Sequence, residues 1–393
     1  MIHTLTLLQR VNQKVFAELY QQRTTSKDSY GRIHDQIITL GDKGITFELY
    51  RREIESKNSK KSYQHFVFLR LNPGKVLGGN CLSVFNPARY EELKTRYHEL
   101  TSEQFCVLCD LDTFMVRRID YCVQLRLDDV PRYVLLMQRG WMPKRGNFTT
   151  KQDPQKLKDN HRAKSYEAHH RGSVYYTGGK RATATEPFKH GSYNVNFYDK
   201  MDEMITAKKY TAEQIAAAEN VLRLEVQCKK RKVDNIAKKY GFKDKTMSQY
   251  LSLDIAKHII QSVYTEIVGE GNYIKKHDAI TLIKHNVRTE NVQNRLIQIL
   301  DNITGHGGTG NSLWTLYDAI EDVKQKRVFR DDVKHLNELG INAVPLPSTY
   351  PQDELPNLLP AIQQYFADID TPFVDDIPAA DDLDIEDLLE NEE

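Results

Sequence analysis

The sequence is poor in cysteine and without a long apolar run, and each shortage excludes something. Five cysteines in 393 residues form an odd, scattered set, which argues against a disulfide framework. Cys106 and Cys109 make one C-x-x-C, but no second pair or pair of histidines at zinc spacing accompanies it. The thiols are therefore read as small buried hydrophobes. No apolar stretch reaches the roughly 20 residues that a membrane helix needs. The first residues, MIHTLTLLQRVNQKVF, lack the basic start and apolar core of a secretory signal, so the expected location is the cytoplasm. GHGGTGN (305–311) lacks the Lys-Ser/Thr of a phosphate-binding loop. No His-hydrophobic-His occurs either; His169 and His170 are adjacent, and in a strand they would face opposite ways.

What is present is a polar chain with an uneven charge. Hydrophobic residues make up 40% and charged residues 28%, enough for a sizeable core under a highly charged surface. From Ala361 to the end there are 12 acidic residues and no Lys or Arg. Setting those 12 aside leaves 42 of the 54 acidic residues against all 55 basic ones, so residues 1–360 carry +13. A basic body suits a polyanionic partner. The acidic end reads as a disordered, solvating tail.

Periodicity divides the chain. Residues 1–60 read as a short helical start followed by alternating segments such as GITFELYR. SYQHFVFLRLNP (62–73) reads as a strand closed by Asn-Pro, and GKVLGGN as a Gly-rich turn. ARYEELKTRYHEL has helical spacing. In MVRRIDYCVQLRLDD, Ile119, Tyr121, Val123, Leu125 and Leu127 alternate with Asp120, Cys122, Gln124 and Arg126, a strand with one apolar and one polar face. VPRYVLLMQRG is a helix, and 142–172 is a long basic loop. SVYYTGG and SYNVNFYDK are strands around a basic turn. In the second, Tyr193, Val195 and Phe197 share a face, opposite Asn194, Asn196, Tyr198 and Lys200. VLRLEVQCKK follows, with Arg223, Glu225, Gln227 and Lys229 on one side. From about Val233 the pattern is helical, and 344–360 is a Pro-rich linker. The expected domains are 1–235, an α+β domain on an antiparallel sheet; 236–345, mainly helical; and 346–393, linker and acidic tail.

Three strands thus offer polar residues on one face: Asp120; Tyr198 with Lys200; and Glu225 with Arg223. Any half-exposed strand shows polar residues outward, but a carboxylate in mid-strand runs against β-propensity. A shared site explains two of them.

In their order, RRIDYCVQL, VNFYDKMDE and LRLEVQCK resemble the blocks of phage and plasmid rolling-circle replication initiators. NPGKVLGGN resembles an upstream stretch of the filamentous-phage II/X replication proteins. GSVYYTGGKR followed by YNVNFYDK is similar to the trans-acting plasmid initiators. The resemblance spans roughly residues 60–235. It implies a Rep-type nicking domain that cuts and rejoins one DNA strand through a phosphotyrosine. It implies Tyr198 as nucleophile with Lys200 beside it, and Asp120 and Glu225 as ligands of Mg²⁺ or Mn²⁺. Plasmid initiators carry a further acid before the Asn-Pro, where this chain has Arg70; water, a phosphate oxygen or Gln227 would complete the set. A tyrosine nucleophile suits such chemistry because it conserves the phosphodiester energy and leaves a 3′-OH for a polymerase.

Tyr176 is the rival nucleophile, and otherwise a base-stacking residue; Tyr193 falls on the apolar face. Candidate contacts to DNA are Arg118, Lys144, Arg145, Arg162, Lys164, Arg171, Tyr176, Lys180, Arg181, Lys189 and Arg223. The implied partners are single-stranded or supercoiled origin DNA and a host helicase or polymerase, without a membrane. The alternative is a non-enzymatic regulator using a helix–turn–helix in KKHDAITLIKHNVRTENVQNRLIQIL.

Overall fold

The computed structural model describes residues 1–27, 33–55, 61–80, 82–140, 173–178, 192–208, 210–304 and 312–368. The protein is α+β. Among the described residues the nine longer strands are β1 (Ile2–Val11), β2 (Thr24–Lys27), β3 (Ile33–Leu40), β4 (Ile45–Glu55), β5 (Lys61–Leu71), β6 (Met115–Arg126), β7 (Ser173–Gly178), β8 (Tyr193–Asp199) and β9 (Val221–Cys228). The chain folds into two compact units, each from separated segments. Among the described residues, the first takes those within 1–122 and 225–256, and the second those within 123–224 and 257–368. β6 and β9 each pass from one unit into the other.

In the first unit the strand order is β2-β3-β4-β5-β1-β6-β9. The pairs β2–β3, β3–β4, β4–β5, β5–β1 and β1–β6 are antiparallel. The chain start, expected to be helical, is the strand β1, paired on both sides. Its alternation explains this: Leu5 and Leu7 are buried, while Thr4 and Thr6 point the other way. The short helix follows at Gln13–Gln21, capped by the Asn12 side chain, which accepts from the Val15 amide.

At the start of β4 and the end of β5 the odd-numbered residues face the core. Ile45, Phe47, Leu49, Val67, Leu69 and Leu71 are all buried. Each such side chain contributes about 1.5–3 kcal/mol. Phe105 packs on Phe47 with ring centroids 5.2 Å apart, and Phe16 on His65 at 4.6 Å, so helical segments cover this face.

The stretch after β5, expected as a turn, opens with the helix Pro73–Val76. Asn72 caps it by accepting from the Lys75 amide, and proline suits the first helical position. The turn comes after it, at Gly78, whose φ is +81°. Cys122 and Cys228 are buried, but Cys106 is exposed and Cys109 half-exposed, so the reading of all the thiols as interior fails for the C-x-x-C. That pair sits in a short 3-10 turn, Cys106–Leu108, where Leu108 takes the buried position.

In the second unit the order is β6-β9-β8-β7, with β7 antiparallel to β8 and Ser173 opposite Tyr198. Its helices include Val130–Gly140, Lys276–Asn286, Glu290–Thr304 and Val323–Glu338. Three asparagines stitch its later segments together. Asn337 Oδ1 accepts from the Glu270 and Gly271 amides. Asn342 donates to the Val268 carbonyl and Asn357 to those of Gly269 and Gly271. The stretch expected as linker and tail carries a helix at Leu359–Ala367 that buries Ile362 and Phe366, one turn apart. Residues 369–393, most of the acidic end, lie outside the described residues.

Candidate active site

The first unit holds a buried acidic pair. β6 and β9 are neighbours, and on them Asp120 and Glu225 are 1% and 4% exposed. The sequence pattern puts both on the polar face, and they are close enough for Glu225 to raise the Asp120 pKa. The expectation of a solvated working face needs correcting. From Ile119 to Leu125 every residue of β6 is buried, on both faces. Alternation tells which residues share a face; it does not tell what covers that face.

Each acid has a basic partner. Arg118 grips Asp120 with both arms: Nε donates to Oδ1 at 2.7 Å and Nη2 to Oδ2 at 2.6 Å. His3 on β1 stands with Nδ1 3.1 Å from Glu225 Oε1. It lies at an irregularity in the β1–β6 pairing, between Ile2 opposite Tyr121 and Thr4 opposite Asp120. Burial pushes the Asp120 carboxyl up to about 6; Arg118 opposes this, Glu225 adds to it, and Arg70 opposes it weakly. Nearby, burial pushes the Cys228 thiol up to about 12. Burial, and then Arg118, lower the Lys229 ammonium.

Two carboxylates and an imidazole are donors that suit a divalent cation. Their arrangement does not. Both Asp120 oxygens are taken by a guanidinium. Among the described residues no group of three or more His, Cys, Asp or Glu is gathered to hold a metal. As placed, these residues do not fit the implied ion.

The second unit holds the tyrosine. Tyr198 lies near the end of β8 and is half-exposed, while Tyr193, Val195 and Phe197 face inward and are buried. Lys200 is not on the strand, as alternation suggested. β8 stops at Asp199, whose carboxylate accepts from the Met201 and Asp202 amides and so starts the helix Lys200–Ala207. Lys200 is that helix's first residue and is buried. Its ammonium donates to Glu203 at 2.6 Å and stands 6.0 Å from the centre of the Tyr198 ring.

The chain matches no family model, no curated protein and no solved structure.

Arg223, read as a phosphate contact, is wholly buried. Its Nε donates to Gln124 Oε1 at 2.8 Å, and Nη2 reaches the same oxygen. It serves the interior, because a mid-strand position with both faces covered leaves no route to solvent. Arg118 is engaged by Asp120. Tyr176 lies on β7 opposite Val195. Lys144, Arg145, Arg162, Lys164, Arg171, Lys180, Arg181 and Lys189 lie outside the described residues. His3 went unread as a site residue because the chain start was taken for a helix; the alternation of MIHTLTL was the available signal. No helix among the described residues is long and apolar enough to cross a membrane.

Proposed function

We propose that this protein nicks and rejoins one strand of DNA with Tyr198 as nucleophile, as a rolling-circle replication initiator does. The observation that carries the reading is the buried pair Asp120 and Glu225 on neighbouring strands, in the order in which the resembling blocks bear their acids. Burying two carboxylates costs several kcal/mol each unless they are compensated, and a buried acid with a displaced pKa beside a second acid, as Asp120 is, marks a functional-site candidate.

In the proposed step the Tyr198 phenol oxygen attacks the scissile phosphorus. A bond forms between phosphorus and that oxygen, and the bond to the 3′ oxygen breaks. The phenol loses a proton and the departing 3′ oxygen gains one. Attack by a 3′-OH on the phosphotyrosine reverses the step. Lys200 offers positive charge beside the ring.

The regulator reading has less support. Helices Lys276–Asn286 and Glu290–Thr304 are joined by a short turn, as a helix–turn–helix requires. Yet the second contains a single basic residue, Arg295, and both arms of that guanidinium are bound to Asp332, at 2.8 and 3.0 Å.

Intact mass after incubation with single-stranded DNA tests the nicking reading. The wild type is expected to gain the mass of an oligonucleotide fragment. Tyr198→Phe is expected to gain none, with cleavage down on the order of 10⁴-fold or more. DNA mapped to Tyr176 would overturn the assignment, and no adduct from the wild type would overturn the reaction.

A further inference from the structure

The even-numbered face of the first unit's sheet is the reverse of its core, and it is not what a plain solvated face looks like. Register places Tyr50 opposite Phe66, Glu48 opposite Phe68, Arg52 opposite Gln64 and Thr46 opposite Arg70. One strand over, Arg10 lies opposite Phe66, Leu8 opposite Phe68 and Thr6 opposite Arg70. Paired residues of an antiparallel sheet project from the same side.

Three aromatic rings therefore share one patch. Tyr50 lies 6.3 Å from Phe66 and 6.0 Å from Phe68, centre to centre. Tyr50 is 48% exposed, and Phe66 and Phe68 are half-exposed. Around them stand Arg10, Arg52 and Arg70, all exposed. Arg70 feels Asp120 at a distance, but none of the three makes an ion pair with a described residue. Glu48 is the one carboxylate among the described residues of this face on β1, β4 and β5. The patch runs on toward the acidic pair: Arg70, Thr6 and Arg118 are successive cross-strand neighbours, so Arg70 and Arg118 stand about 10 Å apart across the sheet.

We propose that this face docks single-stranded DNA, with bases stacked on Tyr50, Phe66 and Phe68 and backbone phosphates held by Arg10, Arg52 and Arg70. Charge complementarity selects the occupant: three exposed arginines with no ion pair to a described residue call for a polyanion. The rings select its form, because only unpaired bases expose their flat faces to aromatic side chains. A duplex keeps those faces stacked. The choice of DNA over RNA rests on the nicking reading; the docking of a single strand does not.

Fluorescence anisotropy of the full chain tests this, using a labelled DNA strand of mixed sequence, the duplex of that sequence and the matching RNA. The single strand is expected to bind more tightly than the duplex. Tyr50→Ala is expected to weaken single-strand binding about five- to a hundredfold, and Tyr50→Phe to restore it. Tyr50 is exposed enough for both variants to fold. Arg10→Ala, Arg52→Ala and Arg70→Ala are each expected to flatten the salt dependence of binding by about 0.7 in slope. Wild-type affinity in Tyr50→Ala overturns the docking face, as does equal binding of the duplex. Tighter binding of the RNA overturns the assignment to DNA. The two proposals fail separately. A covalent adduct in the wild type with undiminished binding by Tyr50→Ala removes this face alone. The Tyr50→Ala loss without any adduct removes the nicking reading alone.

Discussion

The two units carry opposite electrostatic designs. In the first the anion is inside and the cation outside: the Asp120 side chain is 1% exposed and that of its partner Arg118 35%. In the second the cation is inside and the anion outside: the Lys200 side chain is 4% exposed and that of Glu203 28%. Each buried charge is held by a residue two or three positions away in sequence, so each pair forms within its own local segment. The partners differ in what they leave behind. Withdrawing Arg118 removes the guanidinium that holds an acid, and withdrawing Glu203 removes a carboxylate that holds an ammonium. A phosphate is drawn to the second arrangement and a metal cation to the first.

The largest effect expected from this inversion is a pH dependence. A carboxyl raised from 3.8 to about 6 by burial favours the fold while protonated. That contribution is complete below the unfolded pKa and is lost as pH rises through about 6, to about 3 kcal/mol. Asp120→Asn cannot ionise and so lacks this loss. Urea midpoints are expected to show the variant gaining on the wild type by up to about 3 kcal/mol between pH 4 and pH 7. A constant difference across that range would mean that Asp120 is not burdened by its burial.

A smaller effect concerns the cation gripping Asp120. Manganese titrated into the wild type, followed by electron paramagnetic resonance, is expected to bind weakly, because Arg118 holds both carboxylate oxygens. Arg118→Ala is expected to bind it at least about tenfold more tightly, or about 1.4 kcal/mol. Equal affinities would show that the guanidinium does not compete for this place.

The smallest effect belongs to the second unit. Glu203→Gln keeps the shape and removes the charge opposite Lys200. Because Glu203 is partly solvated, the cost is expected at about 1 kcal/mol or less in denaturant unfolding. An unchanged midpoint would place the neutralising partner of Lys200 elsewhere.

Much of the strand framework was legible. The alternation in MVRRIDYCVQLR and VLRLEVQC marks β6 and β9, and it assigns Asp120 and Glu225 to the polar side. Three things were not legible, each for a physical reason. The coverage of that side depends on tertiary packing, to which a period of two is blind. The break between Tyr198 and Lys200 depends on Asp199, whose short carboxylate can cap a helix as readily as it can sit in a strand. His3 depends on an irregularity of pairing that only the partner strand reveals. Arg70, noted as a departure from an acidic pattern, proved to border an aromatic patch whose three rings come from two strands.

The first unit's discontinuity has a consequence during synthesis on the ribosome. β6 emerges with Asp120, but β9 and Glu225 follow only after the inserted segment 123–224 has been made. At ordinary elongation rates that is a wait on the order of 5–20 s. Throughout it, the growing sheet ends at β6 with an acid destined for the interior. Arg118, two residues upstream, is already present to neutralise it, so the half-built sheet need not wait for the rest of its chain before it closes around a charge.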